Sequence, residues 1–314
     1  MHIRDHFAHA AGPTLSFEFF PTKTDEARTK LHATINELAS ARPAFISLTY
    51  GAGGSTRDAT QALVKHVKEN TTLDPVPHFT CVNHREEDID SILQHYAGLG
   101  IDNILALRGD APHDRPDHDH GLDFCRHASD LVRHIQRFNA GGTHRDRRGF
   151  AVGVACFPEG HPATPNRLVE MDHLKAKVDA GVDFLVTQAF FDNHVFHDFR
   201  ARCDLAGIRV PILAGILPLP SRATMLKMAE LAGGMRYPAA LLRALDRGGD
   251  DPEAFRRIAI QHAVAQCVDL LVNGVDGVHF YTLNQGDPVL KTLAALGSAT
   301  QGVQRNTPWQ DTLV

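Results

Sequence analysis

Eight short apolar runs recur along the chain, and segments of helical periodicity separate them. Most of the runs are almost continuously apolar, which is typical of parallel strands covered on both faces. The predicted strands are Leu15–Phe20, Phe45–Thr49, Pro77–Val82, Ile104–Arg108, Ala151–Phe157, Phe184–Phe190, Val210–Leu217 and Gly277–Leu283.

The segments between these runs predict amphipathic helices. In the fifth of them, one face is formed by Leu168, Met171, Leu174 and Val178. The motif Asp251-Pro252-Glu253 predicts a helix start, because Asp caps a helix, Pro suits its first position and an acid is favoured near its positive end.

The alternation of eight strands with helices predicts an α/β protein with a single (β/α)8 TIM barrel. A doubly wound sheet would normally carry a G-x-G-x-x-G motif after its first strand, whereas this strand ends Glu18-Phe19-Phe20-Pro21. We expect the barrel to span residues 1–297 and a loose tail to span 298–314. Two segments, Pro112–Gly121 and Asn139–Gly149, are predicted to be loop insertions.

Composition narrows the class of protein. The 314 residues include 32 Lys+Arg against 37 Asp+Glu, so no basic field favours nucleic acid. No apolar run reaches membrane-spanning length, and the N-terminus lacks the apolar segment of a signal peptide. The five cysteines are widely spread and never in C-x-x-C spacing, so neither a disulfide framework nor a zinc site is predicted. We expect a reduced, cytoplasmic enzyme without a metal.

Polar residues stand at the ends of the apolar runs. In a barrel, the carboxyl ends of all strands meet at one mouth, so residues distant in sequence become neighbours there. The residues expected to meet are Glu18, Thr49, His78, Asp110, Gln188 and Tyr281.

Three of these residues suggest specific chemistry. Glu18 is flanked by phenylalanines, and a carboxyl group in an apolar pocket resists ionisation and can act as a general acid; pairing with a cation such as Arg108 is the alternative. Asp110 would stay charged and stabilise a developing cation, or would only cap the next element. Gln188 suits the amide edge of a heterocycle, or a hydrogen bond within the barrel.

Other motifs are less specific. The glycine-rich segment Thr49–Thr56 could approach a phosphate but lacks the lysine of a P-loop. Lys177 ends a helix, where the dipole alone favours a cation. His161 lies in a loop beyond the fifth strand and could touch a ligand. The cluster of His113, His118 and His120 is interpreted as a solvated loop, with a metal site as the alternative.

The motifs taken together resemble the methylenetetrahydrofolate reductases of the bacterial single-domain type. The resemblance covers roughly residues 14–297. It rests on Ser16-Phe17-Glu18-Phe19-Phe20-Pro21, Thr49-Tyr50-Gly51-Ala52, Pro77-His78-Phe79-Thr80-Cys81, Leu107-Arg108-Gly109-Asp110, Pro158-Glu159-Gly160-His161-Pro162, Lys177-Val178-Asp179-Ala180-Gly181, Thr187-Gln188, Gly215-Ile216-Leu217-Pro218 and Phe280-Tyr281-Thr282-Leu283-Asn284.

The resemblance implies an FAD-containing barrel that takes hydride from NADH or NADPH and reduces 5,10-methylenetetrahydrofolate to 5-methyltetrahydrofolate, the methyl donor for methionine. Glu18 would protonate N10 as the five-membered ring opens, and Asp110 would stabilise the iminium cation. Gln188 would orient the pterin, and Tyr281 and Gln285 would also contact the substrate. The implied FAD contacts are Thr49, His78, Arg108, Gly109, Asp110, Ala128, His161 and Lys177, with Arg108 and Lys177 at the phosphates. We expect folate as the partner, no nucleic acid, no membrane and a homo-oligomer.

The chain departs from the family pattern at Arg222, Gln285, His127 and Phe157. These departures leave the donor open among NADH, NADPH and a reduced protein carrier. A flavin-independent reductase on the same barrel is the main alternative. A lyase that uses Lys177 as a Schiff-base amine is disfavoured, because Lys177 is predicted on a helix rather than at a strand end. A non-catalytic binding protein would not need two carboxylates on separate strand ends.

Overall fold

Eight parallel strands close into a barrel in the order of the sequence, with β8 paired to β1. The computed structural model describes residues 1–51, 57–112, 114–231 and 235–299. The closed barrel confirms the predicted fold class. The strands are β1 Thr14–Phe19, β2 Phe45–Leu48, β3 Pro75–Thr80, β4 Asn103–Leu107, β5 Ala151–Cys156, β6 Phe184–Thr187, β7 Ile212–Ile216 and β8 Gly277–Tyr281.

Helices surround this barrel and also precede it. Their bounds are α1 Ile3–His9, α2 Asp25–Ala39, α3 Arg57–Asn70, α4 Glu86–Gly98, α5 Ala128–Ala140, α6 Arg167–Asp179, α7 Asn193–Leu205, α8 Arg222–Leu231, α9 Ala239–Arg247, α10 Pro252–Val272 and α11 Gly286–Ala299. Among the described residues, no helix combines the length and the apolar character needed to cross a bilayer.

The barrel interior is apolar at one end and polar at the other. Phe45, Leu105 and Phe184 form an apolar cluster with Ile3 of α1, which closes the amino-terminal end of the barrel. The backbone N–H of Ile3 donates to Oδ1 of Asn103, 2.8 Å away, and so fixes α1 to the start of β4. The sequence analysis did not predict this helix.

The observed elements differ from the predicted ones at their ends. Strand β6 ends at Thr187, so Gln188 follows the strand instead of lying within it. Helix α10 begins at Pro252, and the carboxylate of Asp251 accepts from the N–H of Glu253, as predicted. The predicted apolar face of α6 is wrong at Leu168, which is 78% exposed in the first turn of the helix.

The second predicted insertion, Asn139–Gly149, is held against the barrel by specific contacts. Helix α5 includes Asn139 and ends at Ala140, so the segment begins two residues later than predicted. The side chain of Asn139 donates to the carbonyl of Phe150 and accepts from its N–H. Arg145 forms an ion pair with Asp102 at 2.9 Å, so these contacts hold the segment against the starts of β4 and β5. The predicted tail stays a prediction, since α11 ends at Ala299 and residues 300–314 lie outside the described residues.

Candidate active site

Glu18 lies at the carboxyl end of β1, within a group of polar side chains inside the barrel. Its Oε2 is 3.4 Å from Nε2 of His78 and 3.9 Å from Nε2 of His279. His279 in turn contacts the hydroxyls of Ser16 at 2.7 Å and Ser47 at 3.4 Å. Three neighbouring strands and β8 therefore combine to hold one carboxyl group between two imidazoles.

The predicted apolar pocket around Glu18 is wrong. Successive side chains of a strand point to opposite faces of the sheet, so Phe17 and Phe19 pack in the core between barrel and helices. Among the described residues, the basic side chains within ion-pair distance of Glu18 are the two histidines, so the alternative pairing with Arg108 is also wrong.

Burial lowers the pKa of His78 and so favours the neutral imidazole. The charge of Glu18 opposes this shift, and the nearby His279 adds to it. Its Nε2 has no hydrogen-bond partner with good geometry, and neither has Oγ1 of Thr80 two residues further along β3. Buried polar atoms are normally paired, so these two atoms on one face of β3 mark a place for a polar ligand.

Tyr281, the last residue of β8, completes the floor of this region. Its hydroxyl donates to the carbonyl oxygen of Thr187 at 2.7 Å. Burial, and then the charge of Glu18, raise the pKa of Tyr281 well above its ordinary value, so the phenol stays neutral. Gln188 follows Thr187; its N–H donates to the Cys156 carbonyl at 2.7 Å, and its own side-chain oxygen accepts from the N–H of Ala189.

A tight turn after β4 presents Arg108, Gly109 and Asp110. The N–H groups of Cys81 and Val82 both donate to the carbonyl of Arg108. Gly109 has φ +89°, and a Cβ there would lie 2.6 Å from Cγ1 of Val82, so the turn requires glycine. Asp110 is exposed, and the described residues provide no hydrogen bond or ion pair for its side chain, so the capping alternative is not observed.

Positive charge gathers on one side of the barrel mouth. Burial lowers the pKa of His161, and the positive charges of Arg108 and Lys177 lower it further. The carboxylates of Glu170 and Asp110 oppose this shift. Lys177 donates to the carbonyl of Ala155 in β5 at 2.6 Å, and burial lowers its pKa. The prediction that the helix dipole alone explains Lys177 is therefore incomplete, because this side chain reaches the barrel wall.

A cleft of about 180 Å³ opens here, between the loops that follow β5 and β6 and the connection from α8 to α9. Glu159 and Arg236 meet in it, where the N–H of Arg236 donates to Oε2 of Glu159. The other oxygen of Glu159 is buried without a partner, and burial raises the pKa of this carboxyl. Gln188 and His161 also line the cleft.

The loop that carries His161 is held by Phe157, at which the chain departs from the family pattern, and by Glu170. Phe157 packs edge-on against the His161 ring, with the centroids 4.7 Å apart. Oε1 of Glu170 accepts from the backbone N–H of His161 at 2.7 Å. Arg222, another departure, donates to the carbonyl of Gly249 and lies over the ring of Phe255.

The remaining predicted contacts lie around the same mouth. Thr49 follows β2, and its N–H donates to the carbonyl of Phe19. Ala128 is the first residue of α5, and Gln285 is exposed in the loop after β8. Residues 52–56 of the glycine-rich segment and His113 lie outside the described residues. The functional roles given to all these residues stay predictions.

The sequence analysis missed several polar residues of the site. Ser16 and Ser47 both contact His279 inside the barrel, and Glu159 lines the cleft. A signal was present for the first three, because Ser16, Ser47 and His279 stand two residues before the predicted site residues Glu18, Thr49 and Tyr281. Residues two apart face the same side of a sheet, so each shares the inward face of a predicted site residue.

Comparison with known proteins identifies the family. The family described as methylenetetrahydrofolate reductase matches residues 2–297. The 5,10-methylenetetrahydrofolate reductase of Escherichia coli (strain K12) is 36% identical over 275 residues, which are 87% of this chain and 87% of the relative. Methylenetetrahydrofolate reductase (NADH) 1 of Arabidopsis thaliana is 36% identical over 309 residues, and the match spans 94% of this chain but only half of the plant protein.

A solved structure supports the fold. It is an uncharacterized protein from Clostridium thermocellum that binds two copies of 5-methyl-5,6,7,8-tetrahydrofolic acid. The two structures superpose with a TM-score of 0.62 and 12% sequence identity, and the match spans 93% of this chain and 97% of the other chain. At that identity it shows the barrel alone. The names of the E. coli and Arabidopsis relatives agree with the family and the enzyme class predicted from the sequence, so both predictions are confirmed. The chain belongs to the methylenetetrahydrofolate reductase family.

Proposed function

We propose that this chain, with bound FAD, reduces 5,10-methylenetetrahydrofolate to 5-methyltetrahydrofolate at the mouth of the barrel. The observation that carries the proposal is the position of Glu18, a carboxyl group held between His78 and His279 at the carboxyl end of β1. Acid catalysis at a strand end of a barrel agrees with the general location of active sites in this fold.

The residues around the mouth suit FAD in charge and in shape. The positive charges of Arg108 and Lys177 both act on His161, and two cations on one side of the mouth would suit a diphosphate. Nε2 of His78 and Oγ1 of Thr80 lack partners and would be satisfied by the polar edge of a bound ring. The glycine at position 109 allows a close approach of the backbone, where a side chain would collide with Val82 and Thr80. Thr49, Ala128 and Asp110 are proposed as further contacts.

When bound, FAD would supply a hydride carrier between the nicotinamide donor and the folate. Glu18 would donate a proton to N10 of the folate, and the C–N bond of the five-membered ring would break with its electrons on N10. Asp110, whose side chain is exposed at the mouth, would stabilise the resulting iminium cation. Gln188, Tyr281 and Gln285 would orient the pterin and the rest of the substrate.

The proposed donor is NADH, which the name of the Arabidopsis relative gives for that enzyme. NADPH stays the alternative. The predicted absence of nucleic-acid and membrane partners, the homo-oligomer and the cytoplasmic location stay predictions.

The test is the absorption spectrum of the purified protein, followed under anaerobic conditions. The visible bands of an oxidised flavin are expected, and NADH is expected to bleach them. Addition of 5,10-methylenetetrahydrofolate is then expected to restore the bands and to yield 5-methyltetrahydrofolate.

Two results would contradict the proposal in different ways. A colourless protein that still oxidises NADH in the presence of the folate would overturn the role of FAD and would support the flavin-independent alternative. A flavin that NADH reduces but that no folate reoxidises would overturn the proposed substrate.

A further inference from the structure

Two histidines and an aspartate converge in the loop between β4 and α5. Nε2 of His118 is 2.9 and 3.0 Å from the two carboxylate oxygens of Asp123, and Nδ1 of His120 is 3.1 Å from Oδ2. The side chains of His118, His120 and Asp123 are only 10%, 21% and 4% exposed. The interpretation of this segment as a solvated loop is therefore wrong for these residues.

The carboxylate of Asp123 is oriented by a contact from outside the loop. Its Oδ1 accepts from the backbone N–H of Asn83, 3.0 Å away, in the turn between β3 and α4. Asn83 has φ +59°, and its side-chain oxygen accepts from Arg115 of the same loop. Two separate contacts thus join the loop to this turn.

We propose that His118, His120 and Asp123 bind a divalent transition metal of the zinc type. Imidazole nitrogen and carboxylate oxygen are the ligands such ions prefer, and all three ligand atoms lie within 4.8 Å of one another. Ligands on bonds of about 2.1 Å stand roughly 3.0 Å apart in an octahedral site and about 3.4 Å apart in a tetrahedral one. The observed separations from carboxylate oxygen to imidazole nitrogen, 2.9 to 3.1 Å, match the octahedral spacing and need widening by roughly 0.3 to 0.5 Å for the tetrahedral one.

The rest of the site is also suited to a metal. The Asn83 N–H bonds one carboxylate oxygen and leaves Oδ2 for the ion, an arrangement that commonly orients metal-bound carboxylates. Three protein ligands leave room for water in the remaining positions. Bound metal would cross-link the described part of the segment between β4 and α5, and its role would be to order that segment.

The main alternative is a cluster held by hydrogen bonds alone, in which Asp123 accepts from both imidazoles without any ion. The two explanations differ in metal affinity and in the effect of metal on the loop. The site does not depend on FAD or folate, so it can be tested separately from the proposed function.

The experiment uses the full chain, stripped with a chelator and titrated with Zn²⁺ by calorimetry, and with Co²⁺ to read the coordination spectrum. One tight equivalent is expected. Asp123→Asn keeps the acceptor for the Asn83 N–H and is expected to weaken Zn²⁺ binding at least ~10-fold; His118→Ala is expected to abolish it.

His66→Asn is the matched control. His66 stacks on His32 at 3.6 Å on the surface, so this variant removes a surface imidazole from the most closely spaced histidine pair outside the loop. It is expected to leave the tight equivalent unchanged. If His66→Asn removes it and His118→Ala does not, the metal binds at the surface pair and the proposal is wrong.

A second readout follows the loop directly. Arg126 is exposed within it, and Zn²⁺ is expected to slow tryptic cleavage after Arg126 in the wild type but not in Asp123→Asn. The proposal is overturned if the wild type binds Zn²⁺ no more tightly than His118→Ala does and if Zn²⁺ leaves the rate of cleavage after Arg126 unchanged. The hydrogen-bonded cluster would then be the explanation.

Discussion

At the scale of single residues, the side of the strand decides the chemistry of Glu18. Its sequence neighbours Phe17 and Phe19 lie on the opposite face of β1 and never reach the carboxyl group. What surrounds Glu18 comes from other strands: His78 from β3 and His279 from β8. The phenylalanines next to Glu18 in the sequence therefore do not form its surroundings, and its role as an acid stays a prediction.

The variant Glu18→Gln tests the proposed acid. The amide keeps the size of the side chain but cannot donate the same proton, so reduction of the folate is expected to fall by about 10²- to 10⁴-fold. Reduction of the flavin by NADH is expected to stay largely intact, because that step needs no proton on N10. Stopped-flow measurement of the two half-reactions separates them, with Glu69→Gln as the matched control, because Glu69 is 55% exposed near the end of α3 and lies outside the site. Equal losses in both half-reactions would argue against an acid role.

The variant Asp110→Asn tests the proposed electrostatic role. Among the described residues its side chain has no partner, so thermal stability is expected to stay unchanged. Loss of one negative charge near the developing cation is expected to slow folate turnover by about 10- to 10³-fold. Steady-state and half-reaction rates that match the wild type would show that the charge of Asp110 has no part in the reaction.

At the scale of elements, the apolar pattern of the sequence predicts the strands, whereas helix α1 is explained only by its packing against the barrel. Helix α1 has seven residues, too few to be stable alone, and its Ile3 is buried against side chains from the strands. The asparagine at the start of β4 satisfies the N–H of Ile3 and donates to the Met1 carbonyl. The helix therefore exists because the open end of the barrel offers an apolar surface.

The variant Ile3→Ala tests this packing. Removal of the buried side chain is expected to lower the free energy of unfolding by about 2–4 kcal/mol, from lost burial and the cavity left behind. Urea unfolding followed by circular dichroism measures the change. Leu205→Ala is the control, because Leu205 is 88% exposed and its loss should cost almost nothing. A similar small effect for both variants would show that α1 does not stabilise the barrel.

At the scale of the whole molecule, barrel closure joins segments that are far apart in sequence. Glu18 and His279 meet because β1 pairs with β8. At the opposite end, Asp102 accepts from Arg145 at 2.9 Å and lies 3.2 Å from the N-terminal amine. One carboxylate thus ties the segment before β5 and the start of the chain to the start of β4.

The variant Asp102→Asn tests this link and its pH dependence. Burial raises the pKa of Asp102, but hydrogen bonds from Arg145 and the N-terminal charge lower it by more, so the net shift is downward. A lowered pKa in the folded state stabilises the fold above the unfolded value and is lost as pH falls through the folded value. The variant is expected to be less stable by about 1–2 kcal/mol at pH 7, and this gap should shrink below about pH 4.

Urea unfolding of both proteins across this pH range measures the gap. Asp198→Asn, which removes an exposed carboxylate paired with Arg202 one helical turn away, serves as the control and should change stability little. A gap that widens on acidification would contradict the assigned direction of the pKa shift.

The site could be predicted as a set of strand-end residues but not as a set of contacts. Glu18, His78 and Tyr281 were named from their positions at the ends of apolar runs, and the barrel brings these strand ends to one mouth. The ion-pair distances of Glu18 and the unpartnered atoms of His78 and Thr80 depend on strand register, which no local pattern specifies.

The sequence by itself determined the barrel and the family, because apolar periodicity and short motifs are local and survive without knowledge of contacts. Only the tertiary structure decided that Glu18 lies between imidazoles, that Leu168 faces solvent, and that His118 and His120 close on Asp123. The physical reason is that burial and pairing are properties of neighbours in space. In a closed barrel those neighbours come from other strands and loops.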